Sequence, residues 1–344
     1  MLSVDPEAPN RTVLAEAAAW IREGYPVAFP TETVYGLGAD ALNPAAVQAI
    51  FDAKGRPSDN PVIVHLAALE QLPDVVREVP SAATGLMERY WPGPLTLVLP
   101  RAPGLPAEVS GGLDTVAVRM PAHPVALALI RVAGRPLAAP SANRSGRPSP
   151  TTAAHVLQDL GGKIPLILDG GPVSVGVEST VLDLTGPIPV LLRPGAVTPE
   201  EIRAVVGRVE MGSTGDLLRR SPGTRYRHYS PQAETVLIVR PRPELTRKVV
   251  EEYVRKENRV GVILRGRGET ATSSRLIVEE LPDDLAGYAR GLFAALRALD
   301  DSGVDVIVVE GVEEEGLGLA VMDRLRRAAT VVVDDAGEAQ RETR

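Results

Sequence analysis

The amino-acid sequence predicts an α/β protein with two unequal domains. Three observations support this fold class: helical and strand patterns alternate along most of the chain, the alternation stops over residues 208–233, and it then resumes. A chain of 344 residues is long enough for two domains of roughly 100–200 residues each. We therefore predict a first α/β domain over 1–207, an interdomain linker over 208–233 and a second, smaller α/β domain over 234–344.

The first predicted domain alternates short apolar strands with amphipathic helices. A helix over Val13–Glu23 ends at Gly24, and Asn43 followed by Pro44 marks the start of a helix that runs to Lys54. Three helices follow at Ala82–Trp91, Pro124–Ala133 and Thr152–Leu160, and Thr198 caps a last short one that ends near Val206. The predicted strands are Pro26–Pro30, Pro61–Ala67, Leu95–Leu99, Thr115–Met120, Pro136–Ala139, Pro165–Leu168, Ser179–Leu184 and Val190–Leu192.

The segment 208–233 is rich in glycine, proline and serine, contains five arginines and has no hydrophobic period. It therefore has the composition of a linker. The second domain again alternates, with predicted helices Glu244–Lys256, Leu285–Asp300 and Leu319–Ala328. Its predicted strands are Val236–Val239, Val260–Leu264, Leu276–Glu279, Val304–Val309 and Thr330–Val333.

Composition excludes several classes of chemistry. The chain has no cysteine, so disulfide scaffolds, thiolate metal sites and cysteine nucleophiles are excluded together. Its four histidines are far apart and lack metal-site spacing. A net charge of −7 argues against a protein that coats nucleic acid. Because the chain lacks a long apolar run and a basic, apolar N-terminus, we expect a cytoplasmic protein with no membrane association.

Standard nucleotide-binding fingerprints are absent or out of context. No Walker A loop and no nucleophile elbow occur, and two G-x-G-x-x-A matches, at 36–41 and 266–271, lack the strand–helix setting of a dinucleotide site. Polar loops nevertheless follow the predicted strands, where open α/β sheets bind ligands. Lys54 is one of only four lysines, and with Arg56 it forms a pair of cations that suits an oligophosphate. The alternative is a solvated turn after a helix.

Three further positions combine polar side chains with apolar strands. The loop Pro140–Ser149 is rich in hydroxyl and amide groups that can bind a nucleotide, although such residues also build ordinary loops. Arg119 ends an apolar strand, where it meets either a ligand carboxylate or an internal acid. His65 lies inside the strand PVIVHLA, where a buried core histidine is the commoner outcome.

The joint order of the motifs is more informative than any one of them. The sequence resembles the threonylcarbamoyl-AMP synthase family, whose catalytic unit is a YrdC-like domain, over about residues 12–207. A segment over Ser221–Pro231 resembles the interdomain region of the long, two-domain form, and 234–344 resembles its accessory domain more faintly. The motifs that support the resemblance are PTETVYGLG at 30–38, KGRP at 54–57 with Asn60-Pro61, WPGPLT at 91–96, VRMP at 118–121, PSAN at 140–143 with Ser145-Gly146, DGG at 169–171, ESTV at 178–181 and LRPG at 192–195.

The resemblance implies a fold and a reaction. The first domain is expected to be an open, twisted, mixed sheet with helices, and the second a smaller Rossmann-like α/β domain. L-Threonine, bicarbonate (or CO2) and ATP, with Mg²⁺ carried by the nucleotide, would give threonylcarbamoyl-AMP and pyrophosphate. By the same resemblance, ATP is assigned to Lys54, Arg56, Asn60, Thr115, Ser141, Asn143, Ser149, Arg193, Tyr226 and His228, with Lys54 and Arg56 as catalytic cations. Threonine is assigned to Thr33, His65, Arg119, Ala139 and Ser179.

The resemblance also implies partners. The product would pass transiently to a transferase complex that modifies adenosine beside the tRNA anticodon, and a weak contact with tRNA or double-stranded RNA would accompany this. The linker is expected to fold over the nucleotide as a lid that excludes water.

Two alternatives remain open. Another carbamoyl-adenylating enzyme or carbamoyltransferase, such as those of hydrogenase maturation, shares a similar domain, but the chain lacks the cysteine zinc motifs and acylphosphatase region of those proteins. An RNA-binding module would use a basic groove of Lys54, Arg56, Arg119, Arg144 and Arg147 together with the arginines of the linker. An aromatic content of 3% gives little support for base stacking.

Overall fold

The computed structural model describes residues 1–212, 219–221, 229–267, 273–334 and 336–341, and these divide into two compact units. The N-terminal unit comprises residues 1–145 and the described residues from Ser149 to Ser221. The C-terminal unit comprises Gly146–Pro148 and the described residues from Tyr229 onward.

The N-terminal unit is built on a mixed sheet of 11 strands among the described residues, in the order β1-β8-β2-β3-β7-β4-β6-β5-β9-β10-β11. Its strands are β1 (Leu2–Ser3), β2 (Val27–Phe29), β3 (Gly36–Asp40), β4 (Ile63–His65), β5 (Leu95–Pro100), β6 (Thr115–Arg119), β7 (Leu137–Ala138), β8 (Leu166–Asp169), β9 (Thr180–Asp183), β10 (Val190–Arg193) and β11 (Glu210–Met211). Its helices are α1 (Arg11–Arg22), α2 (Pro44–Lys54), α3 (Leu72–Val75), α4 (Ser81–Tyr90), α5 (Ala107–Ser110), α6 (Pro124–Ala133), α7 (Ala153–Leu160) and α8 (Pro199–Val206).

The predicted capping residues start and end the helices. The Asn43 side chain accepts hydrogen bonds from the backbone N–H groups of Ala45 and Ala46 at the start of α2, and Gly55 ends that helix in the left-handed conformation. Thr198 and Glu201 form a reciprocal capping box on α8. The caps of α2 determine where this helix ends and therefore the position of Lys54, which is its last residue and is buried.

One central strand of the sheet is absent from the strands predicted from the sequence. Gly36–Asp40 forms β3, antiparallel to β2 and to β7. Gly38 is required there by packing, because a Cβ atom at this position would lie 2.5 Å from Cε1 of Phe29. The only part of the PTETVYGLG motif that is a loop is therefore the turn between β2 and β3.

The C-terminal unit is a second α/β layer structure. Its described strands form a sheet of six in the order β14-β13-β15-β12-β16-β17, and every pairing is parallel except the last. The mixed α/β architecture with a smaller second sheet agrees with the predicted fold class. The strands are β12 (Glu234–Ile238), β13 (Val260–Arg265), β14 (Leu276–Leu281), β15 (Val306–Glu310), β16 (Val331–Val333) and β17 (Ala339–Arg341), and the helices are α9 (Pro243–Arg255), α10 (Leu285–Asp301) and α11 (Leu317–Ala328).

None of the helices in the described ranges combines the length and apolar character that a membrane span requires.

Candidate functional site

The site residues of the N-terminal unit lie on neighbouring strands at the centre of its sheet. β4 and β6 are parallel, and their last residues, His65 and Arg119, are register partners. β5 pairs with β6 on the other side, and β9 pairs in parallel with β5. Because neighbouring strands are about 4.8 Å apart, this register places side chains that are far apart in sequence within reach of one small ligand.

Arg119 is a buried cation whose side chain contacts other segments of the N-terminal unit. Its side chain is 3% exposed, and its Nε donates to the carbonyl of Gly93 at 3.1 Å. Nη1 donates to Oγ1 of Thr33 at 2.9 Å, and Nη2 lies 2.6 Å from Oε1 of Glu32. A guanidinium has five N–H groups, and the hydrogen bonds to Gly93 and Thr33 account for two of them. The contact of Nη2 with Glu32 is close but is not aligned as a hydrogen bond, so Nη2 has no aligned acceptor among the described residues and its N–H groups can bind a ligand carboxylate.

The turn between β2 and β3 presents Thr33 to Arg119 in a defined hydrogen-bonding state. Thr31 Oγ1 donates its single proton to the carbonyl of Val34 at 2.6 Å, so it must accept from Thr33 Oγ1 at 2.9 Å. Thr33 therefore donates to Thr31 and accepts from Arg119. Its remaining lone pair is an acceptor for a ligand ammonium or hydroxyl group.

His65 is a neutral acceptor at the end of β4. Its Nδ1 lies 3.2 Å from the carbonyl of Ile63, which can only accept, so Nδ1 carries the ring proton and Nε2 presents a lone pair. Burial, helped by the charge of Arg119, lowers the pKa of His65 to about 3. The predicted core environment and the predicted binding role are therefore compatible.

Ser179 connects the sheet to the LRPG segment. Its Oγ is 2.7 Å from Oγ1 of Thr96, and its carbonyl accepts from both Nε and Nη2 of Arg193, at 3.1 and 2.9 Å. Gly195 makes this approach possible, because a Cβ atom there would lie 2.2 Å from the backbone nitrogen of Thr180.

Lys54 joins α2 to the loop that follows β7. Its Nζ donates to the carbonyls of Ser141 and Asn143, both at 2.5 Å, and the backbone N–H of Ser145 donates to the Lys54 carbonyl. Within the loop, the Ser141 hydroxyl donates to Oδ1 of Asn143 at 2.5 Å. Lys54 thus fixes the conformation of the loop that carries two of the predicted nucleotide ligands.

The remaining predicted ATP residues lie in three places. Arg56 and Asn60 are buried in the loop before β4, where Nη2 of Arg56 donates to the carbonyl of Pro61 at 2.9 Å. Thr115 is the first residue of β6 and Arg119 the last, so they lie about 13 Å apart at 3.3 Å per residue. Ser149 is buried, and its hydroxyl donates to Oε1 of Glu178 at 2.5 Å.

The structure therefore connects the predicted threonine residues Thr33, Arg119, His65 and Ser179 through β4, β6, β5 and β9. Ala139 joins them, since its backbone N–H donates to the carbonyl of Ile63 at 2.8 Å. Tyr226, His228 and most of the predicted linker lie outside the described residues, so their roles stay predictions.

Sequence reasoning missed Glu32, Thr96 and Glu178. All three are buried and contact predicted site residues. Each lies within a quoted motif, so the only signal available was the presence of a polar residue beside a predicted ligand.

No group of three or more histidine, aspartate or glutamate side chains in the described ranges is arranged to hold an ion. The donor set of hydroxyls, amides and cations suits a magnesium ion that arrives with the phosphates of a nucleotide, because Mg²⁺ is commonly held by substrate phosphates and water.

The fold is that of a two-domain α/β protein whose larger sheet has a cluster of buried polar and charged side chains at its centre. Residues 19–195 match the Sua5–YciO–YrdC family model, described as telomere recombination, and residues 197–330 match the model of the threonylcarbamoyl-AMP synthase C-terminal domain. The chain belongs to the threonylcarbamoyl-AMP synthase family, and the predicted family and its two-domain form are confirmed.

Relatives and solved structures agree with this assignment. Threonylcarbamoyl-AMP synthase of Pyrococcus abyssi is 54% identical over 91% of this chain and 93% of its own length. The Bacillus subtilis synthase is 49% identical over 93% and 94%. The crystal structure of P. abyssi Sua5 complexed with L-threonine superposes with a TM-score of 0.90 at 50% identity and covers 96% of this chain and 98% of the other. The enzyme class, a nucleotidyltransferase-type transferase, is thereby confirmed.

Proposed function

We propose that this chain condenses L-threonine, bicarbonate and ATP into threonylcarbamoyl-AMP and pyrophosphate, using two adjoining groups of residues in the N-terminal unit. The first group binds threonine: Arg119 binds its carboxylate, and Thr33, His65, Ser179 and the backbone of Ala139 surround its other polar groups. The observation that supports this assignment best is the buried guanidinium of Arg119, whose Nη2 is offered no aligned acceptor by any described residue.

The second group binds ATP. Lys54 and Arg56 neutralise the triphosphate together with Asn60, while Ser141, Asn143, Ser149, Thr115 and Arg193 hold the nucleotide. Magnesium would be held by the phosphate oxygens that these cations bind, and when bound it supplies further neutralisation of the charge on the leaving pyrophosphate.

The reaction needs little covalent work from the protein. Threonine and bicarbonate form a carbamate, a carbamate oxygen attacks the α-phosphorus of ATP, and the bond to the pyrophosphate oxygen breaks in line. Positioning and electrostatic stabilisation therefore dominate, as in other phosphoryl-type transfers. This agrees with the absence of a nucleophile motif from the sequence.

The product is a mixed anhydride, so a group-transfer enzyme must consume it before water does. We propose a transient encounter with the transferase that modifies tRNA, in the cytoplasm. Weak RNA contact by this chain would accompany that encounter. Titration of the chain with tRNA at increasing salt tests this contact, since phosphate contacts weaken steeply with salt.

Pyrophosphate release from ATP and bicarbonate, with and without L-threonine, tests the proposed reaction. We expect threonine-dependent release that is strongly reduced in Lys54→Ala and unchanged in Lys163→Ala, because Lys163 is an exposed lysine outside the site. Mass spectrometry should show the adenylate. Release that does not depend on threonine would contradict the proposed substrate.

A further inference from the structure

Glu32 is a buried carboxylate at the centre of the proposed threonine site. It is 7% exposed, and its Oε1 lies 2.6 Å from Nη2 of Arg119. Neither carboxylate oxygen is offered an aligned hydrogen bond by any residue that the structure describes, and Nη2 of Arg119 likewise has no aligned acceptor. Buried polar atoms are nearly always satisfied, so these three unsatisfied atoms indicate a ligand that is itself polar at both ends.

The backbone holds this carboxylate in place. The Glu32 carbonyl accepts from the N–H of Val175 at 2.8 Å, and the Thr33 carbonyl accepts from the N–H of Gly176 at 3.1 Å. With the hydroxyl chain from Thr33 through Thr31 to Val34, the turn is fixed on both sides of Glu32. The carboxylate is therefore a preorganised feature of the turn rather than a mobile surface group.

A free amino acid is a zwitterion whose charges match this arrangement. If the carboxylate of the amino acid binds Arg119, electrostatic attraction favours an orientation that brings its ammonium group next to the carboxylate of Glu32. Opposed in this way, the two ion pairs leave the buried site electrically neutral, which removes much of the cost of burying charge.

The chemistry requires a proton acceptor at this ammonium group. Threonine enters with a protonated nitrogen that has no lone pair, and the balanced step is R–NH3⁺ + HCO3⁻ → R–NH–COO⁻ + H2O + H⁺. The nitrogen forms a bond to the carbon, one C–O bond breaks as water leaves, and one proton must be taken up.

Other described groups near Glu32 are poorly suited to that proton. Arg119 is a cation, and His65 stays neutral because of its burial and the charge of Arg119. His123, at the start of α6, also faces Glu32, but its Nδ1 is occupied as acceptor of the Val125 N–H, and burial lowers its pKa. The hydroxyl groups of Thr31 and Thr33 are not bases at neutral pH.

We propose that Glu32 binds the α-ammonium group of threonine and accepts the proton that it loses as the carbamate forms. This role rests on the proposed threonine site, and it adds a general base to a reaction otherwise driven by positioning and charge. The Glu32–Arg119 pair then distinguishes amino acids from simple carboxylates, because a carboxylic acid without the amine leaves the Glu32 charge unpaired.

Threonine-dependent pyrophosphate release as a function of pH tests the proposal in the full-length chain. We expect Glu32→Gln to lower kcat at pH 7 by about 10²–10⁴-fold, the usual contribution of a general base. The defect should shrink about tenfold per pH unit as alkaline solution supplies deprotonated threonine. Glu32→Asp keeps a base one methylene away and should be intermediate, with the pH dependence of the unsubstituted chain. Glu88→Gln, the same change on an exposed helix position, is the matched control.

The outcomes separate this role from a structural one. A Glu32→Gln defect of equal size at every pH, with a raised KM for threonine, would mean that Glu32 only holds Arg119, and it would overturn the proposal. So would an unchanged rate. ATP binding, measured by calorimetry, shows whether each variant is folded. If Glu32→Gln does not fold, the pH dependence of kcat in Glu32→Asp tests the proposal instead. Loss of threonine dependence in the unsubstituted chain would instead refute the proposed function.

Discussion

Replacing Arg119 by glutamine should destabilise the N-terminal unit by about 3–5 kcal/mol, because it leaves the Glu32 carboxylate buried without its partner. The two side chains are 3% and 9% exposed and 2.6 Å apart, so water cannot compensate for the loss. The carbonyl of Gly93 and the hydroxyl of Thr33 also lose their donor. Threonine-dependent turnover should be abolished in the same variant.

The matched control is Arg203→Gln, which removes a surface ion pair with Glu200. That pair is 3.1 Å long, but its side chains are 46% and 62% exposed. Exposed pairs contribute less than about 1 kcal/mol, because solvent screens them and ordering two long side chains costs entropy. The same chemical change should therefore have very different effects at the two arginines.

Intrinsic fluorescence is the assay, because both tryptophans of the chain, Trp20 and Trp91, lie in the N-terminal unit. At about 2–4 °C per kcal/mol for a unit of this size, the expected loss corresponds to a melting point roughly 6–20 °C lower. The double variant Arg119→Gln with Glu32→Gln should recover at least about 1 kcal/mol, since neither charge is then left alone. Purely additive effects, or a loss no larger than that of the Arg203 variant, would refute the reasoning.

Two further predictions concern packing and protonation. Gly195→Ala should lower the free energy of unfolding by about 1–3 kcal/mol or more and weaken nucleotide binding, because the new methyl group would lie 2.2 Å from the Thr180 nitrogen. Gly104→Ala is the control: its methyl group would enter open space, so the melting point in the same fluorescence-detected melt should not change. His65 should show no NMR titration between pH 5.5 and 8. The pKa of His65 is about 3 in the folded chain and about 6.5 in the unfolded chain, so between pH 6.5 and pH 3 only the unfolded state takes up the proton. The free energy of unfolding should therefore fall by up to about 1.4 kcal/mol for each pH unit over this range. A ring that titrates near 6.5 would contradict the burial argument.

Most of the secondary structure was predictable because its signals are local. The caps of α2 and α8 and the apolar strands need only a few neighbouring residues to specify them. β3 was not predictable in the same way, because its GLGAD sequence lacks the alternation and β-branched residues of a strand. It forms through pairing with β2 and β7 and through the Phe29 ring that fills the space over Gly38.

The candidate site shows the same division. Arg119 could be singled out because a cation at the end of an apolar strand needs a partner, and Lys54 because lysine is rare in this sequence and lies two residues from Arg56. Which partner it has depends on strand register and on loop closure, and these are tertiary properties. Glu32 was therefore missed as a functional residue: its importance comes from lying 2.6 Å from a guanidinium 87 positions along the chain.

The contacts of Lys54 bear on how the pyrophosphate assay should be interpreted. Lys54 holds the carbonyls of Ser141 and Asn143, and two residues earlier in the same segment Ala139 is bonded to β4, where the proposed threonine site begins. The Lys54→Ala variant therefore loses the anchor of this loop as well as a phosphate-binding charge. The two effects are separable. If only the charge matters, KM for ATP should rise while KM for threonine is unchanged; if the anchor matters, both should rise together, because one short loop carries ligands proposed for both substrates.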